Sequence, residues 1–282
     1  MQASIASRLS VNEFMWPDSS FEDDLETCRR AGIRGIGIWE DKLGNGRDEE
    51  LIELFGQSGL QATVCAPTAP TILPSSFFPG PSDPQERIEQ LVASIHRFKP
   101  FAPAQFVTIT GTDDSLSKSE QRKIVVDGYR RAGVAAAEIG AVIGIEPIRL
   151  ADESIITTVA EAADLVAEIG LESVGIIWDV WHHWDSPTVL EDIKSYAHLF
   201  TVVQLGDWPD RPHATDRAIP GEGVIPLDRM FGALESAGYT GWYDLEVLSE
   251  PPADDSVPKI DNDEMLRRCR RGVEAAWSKA GK

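Results

Sequence analysis

At 282 residues, with 42% hydrophobic and 26% charged side chains, the chain is long enough to bury a large core. A formal net charge of -20 repels polyanions, which excludes nucleic-acid binding and docking on anionic membranes and disfavours a strongly anionic substrate. No stretch is long and apolar enough to span a membrane, and MQASIASRLS lacks the basic-then-apolar plan of a leader peptide. Cys28, Cys65 and Cys269 are odd in number and form no CxxC pair, so a reducing, cytoplasmic location is expected.

Short apolar, β-branched runs alternate with longer segments of helical period. The first strand is expected over 3–9, then a helix over 20–31 with Ser20 as its N-cap. Strand 33–39 (IRGIGIW) leads to helix 47–58, and strand 61–66 (QATVCA) to a proline-rich loop over 67–82. Helix 83–98, capped by Asp83, precedes strand 105–110 (QFVTIT) and helix 117–139. Strand 141–146 (AVIGIE) is followed by helix 158–169, with Thr157 or Thr158 as cap. Strand 173–179 (SVGIIWD) pairs with helix 189–198, and strand 200–205 (FTVVQL) with helix 226–237. Strand 242–247 (WYDLEV), a second proline-rich loop over 249–260 and helix 261–280 complete the series. Glycines following Ala31, Ser58, Ile139, Ile169 and Ala237 mark helix ends.

Eight strands alternating with eight helices predict an α/β, single-domain (β/α)8 TIM barrel over residues 1–282. An open doubly wound sheet would carry a glycine-rich phosphate loop after its first strand, where this chain reads VNEFMWPDSS.

A barrel places its site at the C-terminal ends of its strands. Strand five ends at Glu146 (GIEPI), six at Asp179 (WDVWHHW), seven at Gln204 (VVQLGD) and eight at Glu246 (YDLEV). Four consecutive strands thus each bring one oxygen-bearing side chain to one mouth. Any one of these carboxylates alone reads most simply as a helix cap or a salt-bridge partner. Three together repel one another and resist desolvation, and a divalent cation compensates both effects.

GIEPI, WDVWHHW, VVQLGD, IPGEG at 219–223 and YDLEV occur in the order seen in the sugar phosphate isomerase/epimerase family with the xylose isomerase-like barrel, which the whole chain resembles. The nearest motifs are those of hydroxypyruvate isomerase-like and ketose epimerase-like members. The resemblance implies one divalent metal on Glu146, Asp179, Gln204 and Glu246. Its D-x-x-H pattern places His182 at the substrate, and its arginine before the PGEG turn falls on Arg217. Many members carry histidine where this chain has Gln204; an all-oxygen set suits Mn2+ or Mg2+ better than an imidazole-containing one.

Trp181 and Trp184, with Trp16, Trp39 and Trp208 near other strand ends, offer flat walls for the C–H face of a sugar, or pack the barrel rim. His183 reads as structural, and His96 and His198 as surface or packing residues.

The expected chemistry is proton transfer beside a carbonyl. Glu146 and Glu246 bracket the substrate carbon, one removing the proton and the other returning it, which gives isomerisation or epimerisation through an enediolate. Expulsion of a leaving group from the same species would give a lyase or dehydratase acting on a keto-sugar, keto-inositol or 3-keto-glycoside. A non-catalytic barrel that binds sugar or a partner subunit is the remaining alternative. The partner expected is a small-molecule sugar, with a homo-oligomer or a partner subunit left open.

The sugar is expected to be neutral rather than phosphorylated. Glu250, Asp254, Asp255 and Asp261 face a lone Lys259 in the loop after strand eight. Asp207, Asp210, Asp216 and Glu222 offset Arg211 and Arg217 in the loop after strand seven.

Overall fold

The computed structural model describes residues 4–210, 216–248 and 260–282. In chain order the elements are β1 Leu9–Asn12, α1 Phe21–Arg30, β2 Gly35–Trp39, α2 Glu40–Leu43, α3 Asp48–Ser58, β3 Gln61–Ala66, α4 Pro84–Phe98, β4 Gln105–Thr108 and α5 Lys118–Glu138. They continue as β5 Val142–Ile145, α6 Val159–Ile169, β6 Val174–Asp179, α7 Val180–His183, α8 Val189–Tyr196, β7 Phe200–Leu205, α9 Leu227–Ser236, β8 Trp242–Leu245 and α10 Asn262–Lys279. The strands close a parallel barrel in sequence order, with β8 pairing back onto β1 through Ser10↔Asp244.

The expected caps at Ser20, Asp83 and Thr158 are in place, and the structure adds Ser117 and Asp261. Ser20, Asp83, Ser117, Thr158 and Asp261 each accept a backbone N–H of the following turn. Ser117 with Glu120 and Thr158 with Glu161 are full capping boxes, so Thr158 rather than Thr157 is the cap of α6.

The first strand departs from expectation. Residues 5–8 form a 3₁₀ turn capped by Ser4, and β1 runs over Leu9–Asn12 instead of 3–9. Ser10 and Asn12 point into the barrel, so this strand has no continuous apolar run. Ser10 Oγ meets Thr63 Oγ1, and Asn12 Nδ2 donates to Asp244 Oδ2 at 3.2 Å. Two one-turn helices, α2 and α7, were also not expected, being too short to show a period.

The main core lies between barrel and helices. There Trp178, fully buried, stacks on Phe200 with ring centroids 5.5 Å apart. A smaller cluster of Val64, Ala66, Val107, Ile177 and Val202 fills the barrel interior. It floors a cavity of about 610 Å³ at the C-terminal mouth.

Candidate functional site

Asp179 ends β6 and caps α7, its Oδ1 accepting the Trp181 N–H at 2.9 Å. This cap turns the chain so that His182, one helical turn on, comes back over the strand end. His182 Nε2 lies 3.6 Å from Glu146 Oε1 and 3.7 Å from Asp179 Oδ2. Glu146 follows β5, its N–H donating to the Thr108 carbonyl at 2.8 Å. Glu246 follows β8, its N–H donating to the Leu205 carbonyl at 3.0 Å. Arg217 reaches across, with Nη1 2.6 Å from Asp179 Oδ2 and 3.1 Å from Glu246 Oε2. The structure therefore gathers Glu146, Asp179, His182, Arg217 and Glu246, all buried, at one end of the barrel.

Glu146, Asp179 and His182 each offer a ligand atom within 4.8 Å of the others, a buried group able to hold a divalent cation. Gln204 is the register partner of Asp179 on β7 and is wholly buried. Neither atom of its carboxamide has a hydrogen-bond partner among the described residues. A buried amide normally finds partners, and an unpartnered buried carboxamide oxygen suits a cation. The residues present fit an oxygen-binding divalent metal.

Burial, reinforced by Glu246 and Asp179, pushes the Glu146 carboxyl well above the usual range. Burial first, with Asp179 and Asp244 adding to it and Arg217 opposing it, pushes Glu246 up to about 8. Burial disfavours charge on Arg217, but the three carboxylates more than offset it and raise its pKa. His182 is pushed well below its ordinary value by burial and then by Arg217. The Arg149 N–H points at His182 Nδ1 from 3.3 Å. The other ring nitrogen, Nε2, faces the Glu146 and Asp179 carboxylates.

His183 Nε2 bonds the Pro147 carbonyl at 2.8 Å, which matches its structural reading, and His96 and His198 are exposed. Trp181 lines the cavity, with Arg217 over its ring at 5.2 Å and the Trp208 ring tilted against it at 4.8 Å. Trp39 also lines the cavity. Trp184 packs against Trp208 behind this wall. Trp16 does not line the cavity: it is 3% exposed and turned into the core, and Phe14 stands at the mouth instead. The 3₁₀ turn at Glu13–Met15 reverses the faces that a straight count along the loop suggests.

Sequence reading missed Asn12 and Asp244. Asn12 Nδ2 bridges Asp244 and Glu246, at 3.2 and 3.4 Å. Asp244, wholly buried, is pushed up to about 7, chiefly by burial. It lies two residues before Glu246, and the period of a strand puts the two on one face. The Asp207 role was missed as well. Its carboxylate accepts the N–H groups of Trp208, Gly221, Gly223 and Ile225 at 2.8–3.1 Å. This ties the IPGEG turn to the end of β7, and an added Cβ on Gly223 would lie 2.4 Å from Asp207 Oδ1. Arg211 and the stretch 249–259, with Glu250, Asp254, Asp255 and Lys259, lie outside the described residues.

The chain is 25% identical over 142 residues to an inosose isomerase of Halalkalibacterium halodurans, covering 49% of this chain and 50% of that one. It is 27% identical over 135 residues to the 3-dehydro-D-guloside 4-epimerase of Escherichia coli, covering 47% and 49%. An inosose dehydratase of Erwinia tasmaniensis is 26% identical over 172 residues, covering 52% and 56%. The chain thus spans about half the length of the curated relatives it matches. Among solved structures, a Sinorhizobium meliloti protein superposes with a TM-score of 0.84 at 23% identity, covering 96% of this chain and 98% of that one. The IolI protein, solved with a bound zinc atom, gives 0.78 at 21%, covering 97% and 99%. Residues 25–269 match the model of the xylose isomerase-like TIM barrel, and the chain belongs to that family.

Proposed function

We propose that the chain is a divalent-metal-dependent isomerase or epimerase that moves a proton beside the carbonyl of a neutral sugar or keto-sugar. The observation that carries this is the pair Glu146 and Glu246. They are buried carboxyls on strands three apart, both held above the usual range and both in contact with the cavity. A carboxyl poised near neutrality serves as base in one half-reaction and acid in the other.

Glu146, Asp179, Gln204 and Glu246 would hold the metal, and their oxygen donors favour Mn2+ or Mg2+. When bound, the cation supplies Lewis-acid polarisation of the carbonyl and charge compensation for the carboxylates. One glutamate takes the proton from carbon. The other returns it to the opposite face or to the adjacent carbon. His182 Nε2–H donates to a substrate oxygen, Arg217 holds Asp179 and Glu246 in place and faces the same oxygen, and Trp181 supports the C–H face. Arg217 already pairs with two carboxylates, which favours a neutral substrate over a phosphorylated one.

A second reading is β-elimination from a keto-inositol or 3-keto-glycoside, favoured by the dehydratase among the relatives. Proton NMR in D2O with Mg2+ and a panel of ketoses, keto-inositols and 3-keto-glycosides separates the two. Solvent deuterium at one carbon together with an isomeric product supports the first reading, and an expelled fragment supports the second. Unchanged spectra across the panel with the metal shown to be bound would overturn both.

A further inference from the structure

We infer that the substrate carries a flat, apolar group on its sugar, seated against the β1–β4 half of the mouth; this rests on the reading of the β5–β8 half as the place of the sugar chemistry. The cavity of about 610 Å³ falls among sites that take ligands larger than one hexose. Its two halves differ. From β5–β8 come all the ionisable groups of the chemistry, Glu146, His182, Arg217 and Glu246, set among the apolar Ile148, Leu150, Trp181, Val247, Leu248 and Met265. From β1–β4 come Phe14, Trp39, Phe77, Phe78, Val107 and Ile109, and among the described residues on that side only Asp18 and the Trp39 indole N–H are polar side-chain groups. A sugar hydroxyl desolvated against such a wall has no partner, which costs free energy, whereas an aromatic or other planar apolar group gains it.

The wall is fixed in place. The segment carrying Phe77 and Phe78 is joined to the end of β4 by the Ile109 N–H on the Pro70 carbonyl (3.1 Å), the Leu73 N–H on the Thr110 carbonyl (2.9 Å) and the Thr112 N–H on the Pro74 carbonyl (2.9 Å). Its tip is clamped by two buried charges. Glu153 accepts the Ser75 hydroxyl at 2.6 Å and the Ser76 N–H at 3.0 Å. Arg87 donates to the Pro81 carbonyl at 2.6 Å, to Thr71 Oγ1 at 2.7 Å and to the Phe78 carbonyl at 3.2 Å. Phe77 nonetheless stays 43% exposed, an aromatic ring held at the rim with its face to solvent. Two buried ionic clamps that hold two adjacent phenylalanines at an open mouth make a preformed surface for a ligand group.

Calorimetric titration of matched methyl and phenyl glycosides (β-D-gluco, α-D-gluco, β-D-galacto) into the Mg2+-supplemented protein tests this. The phenyl member of at least one pair should bind about tenfold tighter or better. Phe77→Ala and Phe78→Ala together should remove most of that advantage and leave the methyl affinity in place. Equal affinities throughout the panel, no phenyl binding at all, or an advantage that survives both substitutions would overturn the inference. Deuterium exchange into a free 3-keto-sugar reads the chemistry separately. Exchange without a phenyl preference removes the wall and keeps the chemistry, and a phenyl preference without exchange does the reverse.

Discussion

From β5 to β8 the mouth carries Glu146, His182, Arg217 and Glu246 among apolar neighbours such as Trp181 and Val247, whereas from β1 to β4 its described lining is apolar apart from Asp18 and the Trp39 indole, with Phe14, Trp39, Phe78 and Ile109. The charged half concentrates groups that water would ordinarily dissolve apart. Burial is the largest cause of the upward shifts at both glutamates, and the described β1–β4 lining brings only Asp18 as a charged group. The lesson is that the wall is part of the electrostatics. A low-polarity face opposite a carboxyl pair strengthens every interaction between charges there.

The sharpest way to break this comparison is at the glutamates. Glu146→Gln and Glu246→Gln should each lower kcat/KM by about 10²- to 10⁴-fold, with thermal midpoints at or above that of the parent, since each removes a buried acid from a repelling group. Turnover within about threefold of wild type in either variant contradicts a two-carboxyl proton transfer.

Arg217→Met probes charge compensation. In EDTA it should cost about 3–5 kcal/mol of stability, the range for a broken buried ion pair, and added Mn2+ should recover most of it. Denaturant titrations with and without metal measure this, and an equal loss in both conditions argues against a cation in this group. His182→Ala should lower turnover by about 10²-fold with metal affinity nearly unchanged. Loss of metal in step with activity would make His182 a ligand and Gln204 a bystander.

The smallest expected effect is in pH. Glu146 and Glu246 have folded-state values above their unfolded ones, so their contribution to stability without metal is complete below about pH 4.5 and fades as pH rises towards 8. A metal needs them ionised. Its stabilisation should therefore grow with pH over that window, by about tenfold in affinity per unit for each proton released. Calorimetry in two buffers of different ionisation enthalpy counts the protons, and zero release removes these carboxyls from the binding site.

Much of this molecule is legible in its sequence. Seven strands and all eight expected helices fall within a few residues of their predicted bounds, because β-branched runs and Ser, Thr and Asp caps act over a few residues. β1 was displaced because its inward residues, Ser10 and Asn12, bond to Thr63 and Asp244 inside the barrel and hide the strand. The oxygen-bearing strand ends were legible because β5 to β8 are consecutive. The wall was not: 67–82 reads as a loose proline-rich loop, and its clamp Glu153 lies 77 residues beyond Ser76. Trp16 was misplaced and Phe14 overlooked because one 3₁₀ turn decides which ring faces the mouth.

The Asp207 carboxylate, shared by four backbone N–H groups, bears on how natural variation around this barrel should be interpreted. An asparagine there keeps the size of the side chain but exchanges one acceptor oxygen for a donor amide that faces N–H groups. The turn it ties leads directly from Arg217, so its loosening would misplace the cation between Asp179 and Glu246 without touching either. A lineage that lost this aspartate would look catalytically dead while every reacting group survived. Its recovery would come from a second substitution in the turn, and the two positions should be inherited together.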